Sequence, residues 1–236
     1  YKMHGVLNGI DMTSYDPAHD MALPVHYSPD DMAGKAACKA DLQAALGLRE
    51  EADTPLVAVV SRLVGHKGME LIRDGFDGMM ATGCQFVVLG QGEGYYEDFF
   101  RAQAGRYVGR AAALITYSEG LSRRIYAGAD LFLMPSKSEP CGLSQMIAMR
   151  YGAVPIVRRT GGLADSVRSC QVGQEDGTGY LFEAYDAGAM LSVIGQATGL
   201  YTGDKAGFAA VRRRGMTEDF SWARSARVYH DIYSKL

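Results

Sequence analysis

Two short stretches carry side chains whose types and spacing could do chemistry. In "SRLVGHKG", residues 61–68, Arg62 and Lys67 stand five apart in one loop. A guanidinium grips two phosphate oxygens at once, while an ammonium acts as a movable point charge. Together they suit a diphosphate whose negative charge grows as a bond to it breaks. The same two residues also read as solvated cations at a loop edge. His66, between them, is a loop residue with no assigned role.

The second stretch is "SEPCGLSQMIAMRYG", residues 138–152. Its body, Leu143 to Tyr151, is apolar and ends in Gly, the pattern of a helix. The helix is expected to start near Pro140, because Pro loses nothing at the first helical position. Free N–H groups there carry roughly half a positive charge. Gly142 bares the backbone and Ser144 adds a hydroxyl, so the turn suits a phosphate. Glu139 would repel one. It fits if it faces a neutral neighbour, accepting hydrogen bonds from hydroxyls or steadying a developing cation. A sugar joined to a diphosphate offers both. A plain helix-capping acid is the other reading.

Elements able to position these loops alternate along the chain. Short apolar runs at 56–61, 85–90, 112–117, 130–136 and 153–159 read as strands. Between them lie the helical stretches "MELIRDGFDGMMA", "YYEDFFRAQAGR" and "SEGLSRRIYAGA", and "TGGLADSVRS" follows the last. Continuous apolar strands alternating with helices mark a parallel sheet covered on both faces. The fold class is α/β, a Rossmann-like doubly wound parallel sheet. A lead segment and first helix occupy 1–45, the helix around Met32–Leu46; the Rossmann-like core occupies 46–186; C-terminal helices of the same domain occupy 187–236. Ligands of such sheets bind at the carboxyl ends of the strands. The five loops that follow the strands are therefore expected to meet at one site.

The remaining loops are weaker signals. "GQGEG" lacks the full G-x-G-x-x-G spacing, which disfavours NAD. Tyr117, expected to end its strand, could stack on a base or a sugar; it could equally be one of 14 tyrosines serving as core or rim. Arg212–Arg214 read as a solvated face.

The bulk composition narrows the classes. The chain has 236 residues, 47% hydrophobic and 22% charged, with a net charge of −3. That near-neutral balance argues against nucleic acid or an anionic membrane as the main partner. No apolar run approaches the ~20 residues of a membrane span. The four cysteines are scattered, as in reduced intracellular proteins, and no metal-ligand or serine-nucleophile motif is present. The chain starts at Tyr1 without a Met, which suggests a fragment.

In this order and spacing, "VLNGID", "SRLVGHKG", "VVLGQGE", "YAGADLFLMPSKSEPCGLSQMIAMRYGAVPIVRRTGGLADSV" and "GTGYLF" closely resemble bacterial glycogen synthase and plant starch synthase. These are retaining glucosyltransferases of the GT-B fold that use ADP-glucose. The likeness covers practically the whole chain but only the second, donor-binding domain of that family. "RRTGGLAD" echoes the K-T-G-G-L motif of the missing first domain, in a C-terminal position. The final helix, around Trp222–Lys235, would pack across onto that domain.

The resemblance implies that Arg62 and Lys67 bind the diphosphate and neutralise departing ADP, and that Glu139 sits by the donor glucose. Cys141, Gly142, Leu143 and Ser144 would line the glucose and phosphate pocket. Tyr117 would stack on adenine with Thr116 beside it, and Thr160 and Gly161 would border the site. Two positions depart from the family pattern. Ile147 stands where related UDP- and GDP-sugar enzymes have a ribose-holding acid, and His66 replaces the usual Gln. The implied reaction transfers glucose from ADP-glucose to the non-reducing end of an α-1,4-glucan with retention. No cofactor or metal is implied, and ADP-glucose is a substrate. The glucan acceptor would be held through the missing N-terminal domain, leaving this chain inactive alone. Its place would be the cytoplasm of a bacterium or the plastid of a plant. A related transferase using another sugar nucleotide, and a stand-alone nucleotide-sugar binding module, are the alternatives.

Overall fold

The computed structural model describes residues 3–170 and 176–235. Six parallel strands form one sheet: β1 (Leu56–Val60), β2 (Gln85–Leu89), β3 (Ala111–Leu114), β4 (Leu131–Met134), β5 (Val154–Arg158) and β6 (Tyr180–Phe182). Their spatial order is β3-β2-β1-β4-β5-β6. The chain steps outward from β1 to β3, then returns to lay β4 on the other side of β1. The loops leaving β1 and β4 therefore diverge to opposite faces, and a crevice opens between them.

Period-two burial explains why these runs are strands. Val57, Val59, Phe86 and Val88 face one core, and Leu56, Ala58, Val87 and Leu89 face the other. The first core is closed by the helices α2 (Met69–Ala81), α3 (Gly94–Arg106), α7 (Ala187–Gly203) and α8 (Lys205–Met216). The second lies under α1 (Ala33–Ala45), α4 (Glu119–Gly128), α5 (Ser144–Arg150) and α6 (Gly161–Ser166). Both faces are dry, as a doubly wound sheet requires.

Three expectations are corrected. β3 stops at Leu114, so Thr116 and Tyr117 lie beyond the strand. β3 is the outermost strand and pairs only with β2, whose register ends at Leu89↔Leu114; a turn from Thr116 N–H to the Leu114 carbonyl follows. The three-residue strand β6, read only as part of a connecting stretch, is too short to show a period. α5 starts at Ser144 instead of near Pro140, for the tertiary reasons given below.

Ion pairs clamp the lead segment to the second face. Asp16 meets Arg150 at 2.9 Å, and buried Asp20 accepts hydrogen bonds from the Tyr151 hydroxyl, the Arg123 guanidinium and the Ala22 N–H. At the amino ends of β1 and β4, Lys39 and Arg212 both pair with Asp130, at 2.7 and 2.9 Å. The last helix, α9 (Trp222–Tyr233), buries only Ser225 and leaves Trp222, Val228, Tyr229 and Tyr233 exposed. Among the described residues no helix is long and apolar enough to cross a membrane.

Burial opposes ionisation of Asp20, but its Tyr151, Ala22 and Arg123 partners outweigh that and hold the carboxyl below its ordinary 3.8. A carboxyl with a lowered folded pKa contributes stability that is complete above the unfolded value and fades as pH falls through the folded one. Asp20→Asn is expected to cost about 2 kcal/mol at pH 7. In urea titrations across the acid range, the gap between wild type and variant should close below pH 3.8.

Candidate functional site

The site is assembled by the two loops that flank the crevice. After β1 the chain makes the short 3-10 turn Gly65–Lys67 and enters α2 through Gly68. Gly68 has φ 79°, and a Cβ there would collide with the Pro135 carbonyl of the loop after β4. Only glycine lets the two loops touch at this point. The Lys137 N–H donates to the His66 carbonyl at 2.9 Å, a second stitch between them.

Lys67 and Glu139 meet across the crevice, Nζ to Oε2 at 2.5 Å. Their side chains are 18% and 8% exposed, so the ions are mostly withdrawn from water. The Ser136 hydroxyl donates to the same Glu139 oxygen at 3.3 Å. Losing either partner would leave the other charge buried and uncompensated. Glu139 does not cap α5, which begins five residues later.

Arg62 lies in the loop that carries Lys67. Its guanidinium is exposed at the rim, with Nη2 3.4 Å from His66 Nε2. Further cations gather on the same edge. Arg158, at the end of β5, donates to the Lys137 carbonyl at 3.0 Å, and both residues lie over the Tyr185 ring at 5.4 and 5.5 Å. Arg159 is neutralised by Glu183 at 2.5 Å. The crevice therefore presents an excess of positive charge in a chain that is slightly acidic as a whole.

The turn 139–143 follows a different course from the expected helix start. Cys141 and Gly142 are half-buried, Leu143 is exposed, and half-buried Ser144 opens α5. Gly142 has φ 72°, a conformation that cannot belong to an α-helix. Pro140 therefore lies in the turn, four residues before α5. Thr160 precedes α6, and the Gly162 N–H donates to the carbonyls of Glu139 and Pro140 at 3.1 and 3.2 Å. A Cβ on Gly161 would strike the Glu139 carbonyl, so the β5 loop lies directly against the acid-bearing turn.

The loops after β1, β4 and β5 thus converge. The loop after β2 joins them through the Glu93 N–H, which donates to the Leu63 carbonyl at 2.8 Å. Thr116 and Tyr117 stand on the β3 loop at the outer edge, Tyr117 85% exposed. They are open to solvent and make no direct bond to the Lys67–Glu139 pair. Ile147 is buried in the second core and offers no polar group. A cavity of about 490 Å³ lies beside Pro140, between residues 5–8, Asp165 and the start of α9. The sequence reading missed Ser136, Arg158 and Tyr185. The first two sit next to strand ends and could have been marked by position, whereas Tyr185 carries no local signal.

A doubly wound sheet with cations and one acid at its switch point is the nucleotide-binding kind of domain that forms one half of a GT-B glycosyltransferase. The chain belongs to the glycosyl transferases group 1, whose family model matches residues 47–197. The resemblance to glycogen and starch synthases is borne out. Glycogen synthase from Anaeromyxobacter dehalogenans (strain 2CP-C) is 46% identical over 234 residues, which cover 99% of this chain and 49% of that protein. Glycogen synthase from Gloeobacter violaceus is 44% identical over 236 residues, 100% of this chain and 51% of the relative. The catalytic domain of starch synthase IV from Arabidopsis thaliana, bound to ADP and acarbose, superposes with TM-score 0.92 at 37% identity over 98% of this chain and 48% of that one. Anabaena HepE in complex with UDP and glucose, at 18% identity and TM-score 0.68, shares the fold. The chain spans about half the length of the curated relatives it matches.

Lys67→Met alone is expected to lower stability by about 2 kcal/mol by stranding Glu139. The double exchange Lys67→Met with Glu139→Leu should recover more than half of that. A double-mutant cycle by urea unfolding reads the coupling, and additive losses would show that the two charges do not depend on each other.

Proposed function

We propose that this chain is the donor-binding half of a glycogen or starch synthase. It transfers glucose from ADP-glucose to the non-reducing end of an α-1,4-glucan with retention, and it needs an N-terminal domain for turnover. The observation that carries the reading is the Lys67–Glu139 pair at the switch point of a chain 46% identical to a glycogen synthase. The ADP bound by the starch synthase IV catalytic domain supports the same nucleotide here.

Each residue then has a physical task. Arg62 and Lys67 grip the diphosphate and take up the charge that develops on departing ADP. Cys141, Gly142, Leu143 and Ser144 line the glucose and phosphate side, and Thr160 and Gly161 close it. Thr116 and Tyr117 receive the adenine at the outer edge. Glu139 lies beside the glucose, where a carboxylate stabilises an oxocarbenium-like centre. Lys67 lies between the two tasks. With the site free it neutralises Glu139; with a diphosphate present it is shared. The acid is thereby kept in place until the sugar arrives.

Calorimetry of this chain with ADP and UDP is the test. ADP is expected to bind more tightly than UDP, and the reverse order would favour a transferase using another sugar nucleotide. Lys67→Ala should weaken ADP by about tenfold, one lost charge-assisted contact. Glu139→Ala should leave ADP affinity unchanged or improve it, because it releases Lys67. In the complete enzyme the same change should depress turnover severely. If Glu139→Ala weakens ADP as much as Lys67→Ala does, the sugar-facing role fails.

A further inference from the structure

We propose that Gln145 is a positioning residue that sets the turn carrying Glu139 and ties it to α6. Gln145 is fully buried at the first turn of α5. Its Nε2 donates to the carbonyls of Cys141 at 3.3 Å and Gly142 at 3.0 Å and to Ser166 Oγ at 2.9 Å. The Ser166 hydroxyl donates onward to the Gly162 carbonyl at 2.6 Å. The Gly162 N–H returns to the carbonyls of Glu139 and Pro140. The bonds close a ring: Gln145, Ser166, Gly162, the 139–142 turn, and Gln145 again.

The remaining carboxamide atom shows what the ring requires. Among the described residues Gln145 Oε1 has no hydrogen-bond partner, although it is buried. A buried acceptor without a donor is unfavourable, and an apolar side chain of the same size would avoid it. That side chain would also strand the two turn carbonyls, which α5 cannot reach because Gly142 has φ 72°. The amide is thus oriented by its donors. The consequence concerns the site: the backbone that carries Glu139 is held through Gln145 on one flank and α6 on the other, independently of the Lys67 ion pair.

The test is made on this chain and reads the turn through its own thiol. Cys141 and Cys170 are half-buried, while Cys38 and Cys84 are buried. In Gln145→Leu, alkylation of Cys141 by iodoacetamide should accelerate about tenfold through local opening, with Cys170 unchanged. Ser166→Ala, which removes the bonds to Gln145 Nε2 and to the Gly162 carbonyl but leaves Gln145 on the turn, should give a smaller rise at Cys141 and covers the case in which Gln145→Leu does not fold. An unchanged Cys141 rate, or Cys141 and Cys170 rising together, overturns the proposal. The second arm rests on the donor-site reading. Gln145→Leu should cost ADP-glucose about tenfold while ADP affinity holds within about twofold; equal losses overturn the positioning role. If wild-type chain binds neither ligand, the donor reading falls and the labelling result alone decides the proposal.

Discussion

The contact on which the rest depends is the ion pair between Lys67 and Glu139. It exists because two parallel strands that neighbour each other in space are distant in sequence, so their following loops part to opposite faces. Two charges on those loops can then approach from opposite sides of a crevice. The approach requires a bare backbone at Gly68, a small donor at Ser136 and close packing of the β5 loop at Gly161. At that depth, removing one partner would leave the other charge uncompensated.

Much of this arrangement was legible in the chain. Alternating apolar strands and helices specified a parallel sheet covered on both faces, and α2 falls at the residues its apolar period marks. The rule that ligands sit at carboxyl ends then directed attention to Arg62, Lys67 and Glu139. The depth of Glu139 was less visible, because burial of an acid depends on a lysine 72 residues away. The start of α5 departs from its local signal for a related reason. Pro140 is a good first helical residue locally, but Gln145 and α6 hold the preceding turn in a conformation that no helix can contain. β3 ends early because it lies at the sheet's edge, where pairing on one side alone sets its length. Tyr185, which carries two cations on its ring, is placed entirely by tertiary folding.

The two ends of β1 and β4 are polar in different ways. At the amino ends, Asp130 binds two cations and Lys39 is also saturated by the carbonyls of Ala52 and Thr54 and the Tyr201 hydroxyl. The knot ties α1 and α8 to the sheet and leaves Arg212 Nε buried without a hydrogen-bond partner among the described residues. At the carboxyl ends the bonding stays open: Arg62 faces water, and the ammonium of Lys67 is held by one acid. The same two strands therefore carry a densely bonded polar cluster that fixes the frame and an open one that can exchange partners.

The last helix adds a colloidal property to the picture. Trp222, Tyr229 and Tyr233 recur at a spacing that aligns them along one side of α9, all in contact with water. Such a stripe attracts other greasy surfaces by the same effect that fills the two cores. With a net charge of only −3, long-range repulsion between molecules is weak. Kosmotropic salt, which strengthens apolar contacts and screens what charge remains, will salt this molecule out early.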